Sequence, residues 1–237
     1  MNLFKTYLLI CIFTFSSVAF SQPAEKFLQA GIEKSEQGNY TEAIINYDKA
    51  IELKPDYAEA YFYRGIAKSN RNDYNGEISD YSKAIELNSN YIDAYYNRGL
   101  AKYALEDYNG AISDFSKTIK LNPGDIDAYY HRGTCYYLTD KFDSAVTDYS
   151  TVISLDSNYS DAYLVRGLSY DMLGDYNKVI YDLTRRIELT NNDKEAYFYR
   201  GNAFKNTGSN DKACKDWQTA YSLGSQTAKD SLDIHCK

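Results

Sequence analysis

The chain has 237 residues, 44% of them apolar and 25% charged, a composition that builds a folded core and excludes a disordered chain. Its net charge of −7, one unit more negative once the first 21 residues and their Lys5 are set aside, argues against nucleic acid and anionic membrane surfaces as partners. Twenty-six tyrosines stand beside only three prolines and two histidines, which points to helices joined by short turns and leaves little material for histidine chemistry.

Residues 1–21 carry one early lysine, an apolar stretch from Leu8 to about Phe15, and small residues at Ala19 and Ser21 before Gln22. That is the pattern of a secretory signal peptide, and its apolar run is too short to span a bilayer. Cys11 follows Ile10 rather than a small residue, so lipidation there is rejected. The expectation is an exported protein, periplasmic or secreted, with no membrane insertion after cleavage.

From residue 24 onward the chain repeats. Glycine recurs every 34 residues at Gly31, Gly65, Gly99, Gly133, Gly167 and Gly201. Counting Ala24, Ala58, Ile92, Ile126, Ser160 and Lys194 as position 1 gives six units, 24–57, 58–91, 92–125, 126–159, 160–193 and 194–227, followed by a tail. Within each unit, apolar residues recur at helical spacing in two blocks split by a polar break such as Asn70-Arg71-Asn72-Asp73. Each unit therefore reads as a helix–turn–helix, and in the second unit the helices are expected near Ala58–Arg71 and Tyr74–Asn88. The mid-helix glycine costs about 1 kcal/mol against alanine, a cost that is tolerable if it lets the paired helix approach, opposite the small residues Ala43, Ala111, Ala145 and Ala213 at position 20.

Tyr95, Gly99, Tyr108, Ala111, Phe115 and Pro123 illustrate a bulky residue, then glycine, aromatic, alanine, aromatic and proline at fixed offsets. This resembles the tetratricopeptide repeat, and the resemblance covers the whole chain after residue 21. It implies an all-α fold, a right-handed superhelical solenoid of helix–turn–helix units forming one domain over 22–237, with first helices lining the concave face and a short capping helix at 228–237. Thr118 departs from the family's small alanine, and the fifth unit is the weakest match, with Val179, Leu183 and Arg186 at positions that are small or aromatic elsewhere.

Position 7, usually leucine in the family, is arginine in five units (Arg64, Arg98, Arg132, Arg166, Arg200), and it travels with aspartate at position 23 (Asp80, Asp114, Asp148, Asp182, Asp216). The first unit lacks both, having Ala30 and Asn46. A ligand-binding arginine row is one reading. Joint loss favours the other, a structural ladder of ion pairs, because a half-buried arginine left alone is costly.

If the family's geometry holds, positions 2, 5, 6, 9, 12 and 13 build the concave groove. Position 2 is acidic throughout, Asp93 and Asp127 included, which suits a helix N-terminus and also sets the sign of the groove. Positions 5, 6 and 12 add Phe62, Tyr63, Tyr96, Tyr103, Tyr130, His131, Tyr137 and Tyr199, a surplus of aromatics beyond the core positions 4, 17 and 24. The chaperone carboxylate clamp of some relatives needs lysine and asparagine at positions 5 and 9 and basic residues at 2 and 6. It is absent here, since position 5 is apolar or aromatic and position 2 is acidic.

Cys135 occupies a position that is small in other units, so it reads as a packing residue. Cys214 and Cys236 are expected to form a disulfide that holds the tail helix, with Ala228, Leu232 and His235 at helical spacing, over the open end of the stack. A metal site from Cys214, His235 and Cys236 lacks a fourth ligand and is set aside. No catalytic set, cofactor motif or metal motif stands out. The reading is a non-catalytic exported adaptor or scaffold that binds a protein or peptide, a basic one on grounds of charge, in an acidic, tyrosine-rich concave groove. The alternative is an accessory subunit of a cell-envelope assembly, docking through its convex face or edges.

Overall fold

The computed structural model describes residues 22–236, so the expected signal peptide lies outside the described residues. Thirteen helices account for nearly all of that span, with no strand among the described residues. Helix α1 covers 22–36. It is followed by α2 (Tyr40–Leu53), α3 (Ala58–Ser69), α4 (Tyr74–Leu87), α5 (Ile92–Ala104) and α6 (Tyr108–Leu121). Then come α7 (Ile126–Leu138), α8 (Phe142–Leu155), α9 (Ser160–Met172), α10 (Tyr176–Leu189), α11 (Lys194–Asn206), α12 (Asn210–Ser222) and α13 (Gln226–His235). The chain divides into two compact units, Met1–Leu121 and Asn122–Lys237, so the first holds α1–α6 and the second α7–α13.

Turn chemistry sets the helix ends. Position 15 has positive φ in every repeat, filled by Gly38, Gly174 and Gly208 in three and by Asn72, Glu106 and Asp140 in the others. That left-handed residue stops α3 at Ser69, two residues before the end expected from apolar spacing. Aspartates start the next helices: Asp73 and Asp175 accept from the backbone N–H of Gly76 and Lys178, and Asp125 and Asp193 do the same for α7 and α11.

The core of each repeat is one large ring set between alanines. Tyr47, Tyr81, Phe115, Tyr149 and Trp217 at position 24 are almost fully buried, with Leu183 in the weak fifth repeat. Around them, Ala60, Ala94, Ala128, Ala162 and Ala196 at position 3, and the small residues at position 10, let the helices cross closely. The repeated glycine makes room for the ring at position 24: a Cβ on Gly31 would lie 2.4 Å from Tyr47, and one on Gly133 would lie 2.9 Å from Tyr149. The small residue at position 20 is thus only part of the reason for the glycine.

Two polar tips at position 24 find partners at position 9. Tyr149 donates to Thr134 Oγ1 at 3.2 Å, and the Trp217 indole nitrogen donates to Asn202 Oδ1 at 3.0 Å. Phe115 and Leu183 need none, and position 9 in their repeats is Leu100 and Leu168. Tyr47 has Ile32 there, and its hydroxyl is the one buried side-chain polar atom among the described residues without a hydrogen bond.

Candidate functional site

Arginine at position 7 lies between helices. In all five repeats Nε and Nη2 donate to both oxygens of the position-23 aspartate, at 2.6–2.9 Å. The aspartates Asp80, Asp114, Asp148, Asp182 and Asp216 are all buried. Nη1 reaches one repeat back, to Asp48 from Arg64, Ser82 from Arg98, Ser150 from Arg166 and Thr184 from Arg200. Each guanidinium also sits 5.3–5.7 Å from the ring at position 4 of its own repeat. With Nε and Nη2 committed to the aspartate of their own repeat and Nη1 to the repeat before in four of the five, these arginines are placed as packing elements rather than as ligand arms.

Position 11 completes the ladder differently in the two units. In the first, Lys68 and Lys102 add a second cation, 2.7 Å from Asp80 and Asp114. In the second, Tyr136, Tyr170 and Phe204 occupy that position and lie 5.8–6.0 Å from Arg132, Arg166 and Arg200.

Five expected groove residues belong to the first unit. Phe62 is a correction: it is buried, with its ring 5.8 Å from Tyr81 and 4.8 Å from Tyr91. Position 5 therefore serves the core. Tyr96 follows it, half-buried with its ring against Phe115. Tyr63 is half-buried and stacked near Tyr47, Tyr103 packs on Tyr108, and Asp93 is exposed.

The other five belong to the second unit. Tyr130 packs on Tyr149 and Tyr159, within its own unit, as Phe62 does on Tyr81 and Tyr91 in the first. Asp127 is exposed, and His131, Tyr137 and Tyr199 are half-buried. Burial lowers the His131 imidazole from its usual range, against the pull of Asp127 and Asp125. Burial raises Tyr137, and so do its neighbours Tyr199 and Asp171. The Tyr137 ring packs against Phe142 and the Tyr199 ring against Phe198.

Positions 2, 6, 9 and 13 are spaced to fall on one face of a first helix. In the second unit that stripe reads Asp127, His131, Thr134 and Leu138 on α7, then Asp161, Val165, Leu168 and Met172 on α9, then Glu195, Tyr199, Asn202 and Asn206 on α11. The N-terminal end is acidic and exposed, while Leu138 and Met172 are exposed apolar residues at the other end. One acid is already taken: Arg186, in place of the usual small residue at position 27, pairs with Asp161, donates to Asp193 at 2.7 Å and reaches Ser160 at 3.0 Å.

Sequence reasoning passed over the tyrosines that recur at position 34. Tyr57, Tyr91 and Tyr159 are each raised first by burial and then by position-2 acids of two successive repeats: Glu25 and Glu59, Glu59 and Asp93, Asp127 and Asp161. Their recurrence at one repeat position, in three of the six units, was the available signal. At the C-terminal end, Cys214 and Cys236 are joined as a disulfide with Cα atoms 5.8 Å apart, which removes both from any metal set. Cys135 is buried and its thiol is pushed up to about 12 by burial. Among the described residues no group of three or more His, Cys, Asp or Glu side chains could hold a metal, and no helix is long and apolar enough to cross a membrane.

Solved structures share this architecture. MamA superposes with a TM-score of 0.66 and 27% identity, covering 70% of this chain and 96% of that one. YrrB, described as a TPR protein with an unusual peptide-binding site, gives 0.73 and 21% identity, covering 79% and 98%. A tetratricopeptide repeat protein from Parabacteroides merdae gives 0.69 and 16% identity, covering 91% and 100%. No curated protein matches the chain. The family described as TPR repeat matches residues 34–70 and 69–106, and the one described as tetratricopeptide repeat matches 92–125 and 126–159. These matches span more than half of the sequence, so the chain belongs to the tetratricopeptide repeat family.

Proposed function

We propose that this protein is an exported, non-catalytic binding module that holds a protein or peptide against the faces of its first helices. The observation that carries the reading is the pairing of exposed acids at position 2, Asp127, Asp161 and Glu195, with the exposed apolar residues Leu138 and Met172 at position 13 of α7 and α9. Half-buried tyrosines on that face offer rigid apolar area with a hydroxyl, which suits an extended or helical peptide. The exposed acids favour a basic partner and steer it by charge. YrrB supports the reading by analogy alone, through its described peptide-binding site.

Affinity purification with the chain from residue 22 as bait tests it. A partner recovered by the native protein is expected to be lost when Leu138, Met172 and Tyr199 are changed together to alanine, and to bind less tightly as salt rises. Retention by that triple variant refutes the first-helix face and favours docking through the second helices. Mass spectrometry of the protein from its native host is expected to show Gln22 as the first residue, and an intact N-terminus refutes export by cleavage.

A further inference from the structure

Helix α13 sits on α12 as a first helix sits on the second helix before it. Its N-cap Ser225 accepts from the backbone N–H of Ala228, as Asp125 and Asp193 accept from Ala128 and Ala196 at position 3. Tyr47, Tyr81 and Leu183 share their cores with Ala60, Ala94 and Ala196 of the following first helix, and Trp217 shares its own with Ala228 in the same way. In that register Leu232 stands at position 7, where five units have arginine. Lys229 and Asp233 replace the position-4 ring and the position-8 glycine.

The fit is poorer than inside the array. Nη1 of Arg64, Arg98, Arg166 and Arg200 reaches position 25 of the preceding repeat, at Asp48, Ser82, Ser150 and Thr184. Position 25 of the sixth repeat is Gln218, and Leu232 is too short and apolar to bond it. Both line a surface cavity of about 500 Å³. Tyr221 lines it too and is 41% exposed, whereas the isoleucines at its position in the other repeats are buried or half-buried. Cys214 and Cys236 are half-buried and also line the cavity, so their disulfide is open to attack from it.

We propose that the Cys214–Cys236 bond is a redox latch on a helix-docking face. A dithiol reductant opens it, α13 swings away, and α12 accepts instead a helix–turn–helix of a partner protein whose first helix carries Ala-x-x-x-Arg. The chain itself uses that spacing five times, from Ala60–Arg64 to Ala196–Arg200, and the incoming arginine reaches Gln218 across the cavity. A second copy does not supply it, because the first repeat has Lys26 and Ala30 at those positions. In the reduction one thiolate of the dithiol attacks a sulfur of the bond, and the other cysteine sulfur leaves with the electron pair. The second thiolate then resolves the mixed disulfide: two electrons and two protons end on Cys214 and Cys236, and the dithiol becomes a disulfide. In an oxidising compartment the latch is closed by default. This face is separate from the first-helix face above, and neither reading depends on the other.

The test uses the chain from residue 22, oxidised or treated with dithiothreitol, and a labelled peptide of residues 92–121 as the probe. That peptide is free of cysteine and contains Ala94, Arg98 and Asp114. Reduced protein is expected to bind it about tenfold to a hundredfold more tightly than oxidised protein, the range that closing the loop can impose. Cys236→Ser should bind like reduced protein without any reductant, and the Arg98→Met peptide should bind more weakly than its parent. Trp217, the one tryptophan of the chain, should shift its emission to the red on reduction and back on reoxidation. Equal affinity in the two redox states, no binding by either, or Trp217 emission that ignores reduction refutes the latch and leaves α13 as a structural cap. An Arg98→Met peptide bound as tightly as its parent refutes the docking register. None of these outcomes bears on the first-helix face.

Discussion

Arg166 meets Asp182 side-on, its Nε and Nη2 donating at 2.8 and 2.7 Å to the two oxygens of a carboxylate that is fully buried. Burial still lifts the Asp182 carboxyl above its usual range despite the guanidinium beside it. The pair is therefore expensive to build and more expensive to break. Asp182→Ala, which strands Arg166, should cost about 3–5 kcal/mol, whereas Arg166→Met combined with Asp182→Leu should cost far less. Urea unfolding of the three proteins checks this. A double variant as unstable as Asp182→Ala would mean that the intact pair is a net stabiliser relative to an apolar replacement.

Glu77 raises the same question with no arginine to help. It is 2% exposed at position 20, where other repeats have alanine or valine, and burial raises its carboxyl while Ser69 opposes the rise. A folded-state carboxyl held above its unfolded value makes ionisation unfavourable for folding. Its cost is absent below the unfolded value of about 4.3 and grows as pH climbs through the folded one. Glu77→Gln should therefore raise the melting temperature at neutral pH, with the gain shrinking towards pH ~4. Thermal melts across that range decide it, and a gain independent of pH would assign the effect to something other than the charge.

Much of this was legible because the chain states each rule six times. Gly31 to Gly201, the rings at position 24, and the joint loss of arginine and aspartate in the first repeat all follow from comparing the chain with itself. Faces were harder to separate. Phe62 at position 5 and Tyr63 at position 6 differ by one residue, yet Phe62 packs inward on Tyr81 while Tyr63 stays on the rim. Spacing cannot distinguish the two when aromatics fill both. Arg186 looked like a defect in the fifth repeat because its partners Asp161 and Asp193 lie 25 residues before it and 7 after it, a separation that no local pattern reveals.

The tail gives a further prediction. Helix α13 has ten residues, too few to be stable alone, and it is held by Ala228 and Leu232 packed on Trp217 and by the Cys214–Cys236 link. Closing a loop of 22 residues is worth about 3 kcal/mol in the chain-entropy model. Cys236→Ser should bring amide exchange in α13 close to that of a frayed helix and lower global stability by less than the full amount, because the rest of the array stays packed. Unchanged exchange in α13 would show that the apolar contacts suffice without the bond.

The repeated glycine predicts opposite outcomes for one substitution at different repeats. Alanine gains about 1 kcal/mol over glycine in a helix interior, provided its methyl group fits. At Gly31 a Cβ would lie 2.4 Å from the fully buried ring of Tyr47, and at Gly99 it would lie 2.8 Å from Phe115, so a ring locked in the core would have to move. At Gly167 the neighbour is Leu183, and the approach is 3.4 Å, an ordinary contact. Gly167→Ala should therefore stabilise the protein by up to about 1 kcal/mol. Gly31→Ala and Gly99→Ala should destabilise it by about 1–3 kcal/mol, as overpacked cores do. The two effects separate on size: the propensity gain is the same everywhere, and only the ring at position 24 differs. Replacing Leu183 by phenylalanine in the Gly167→Ala background should reverse the sign there, and a series of melting curves in which all the glycines respond alike would mean that the ring is not what the glycine accommodates.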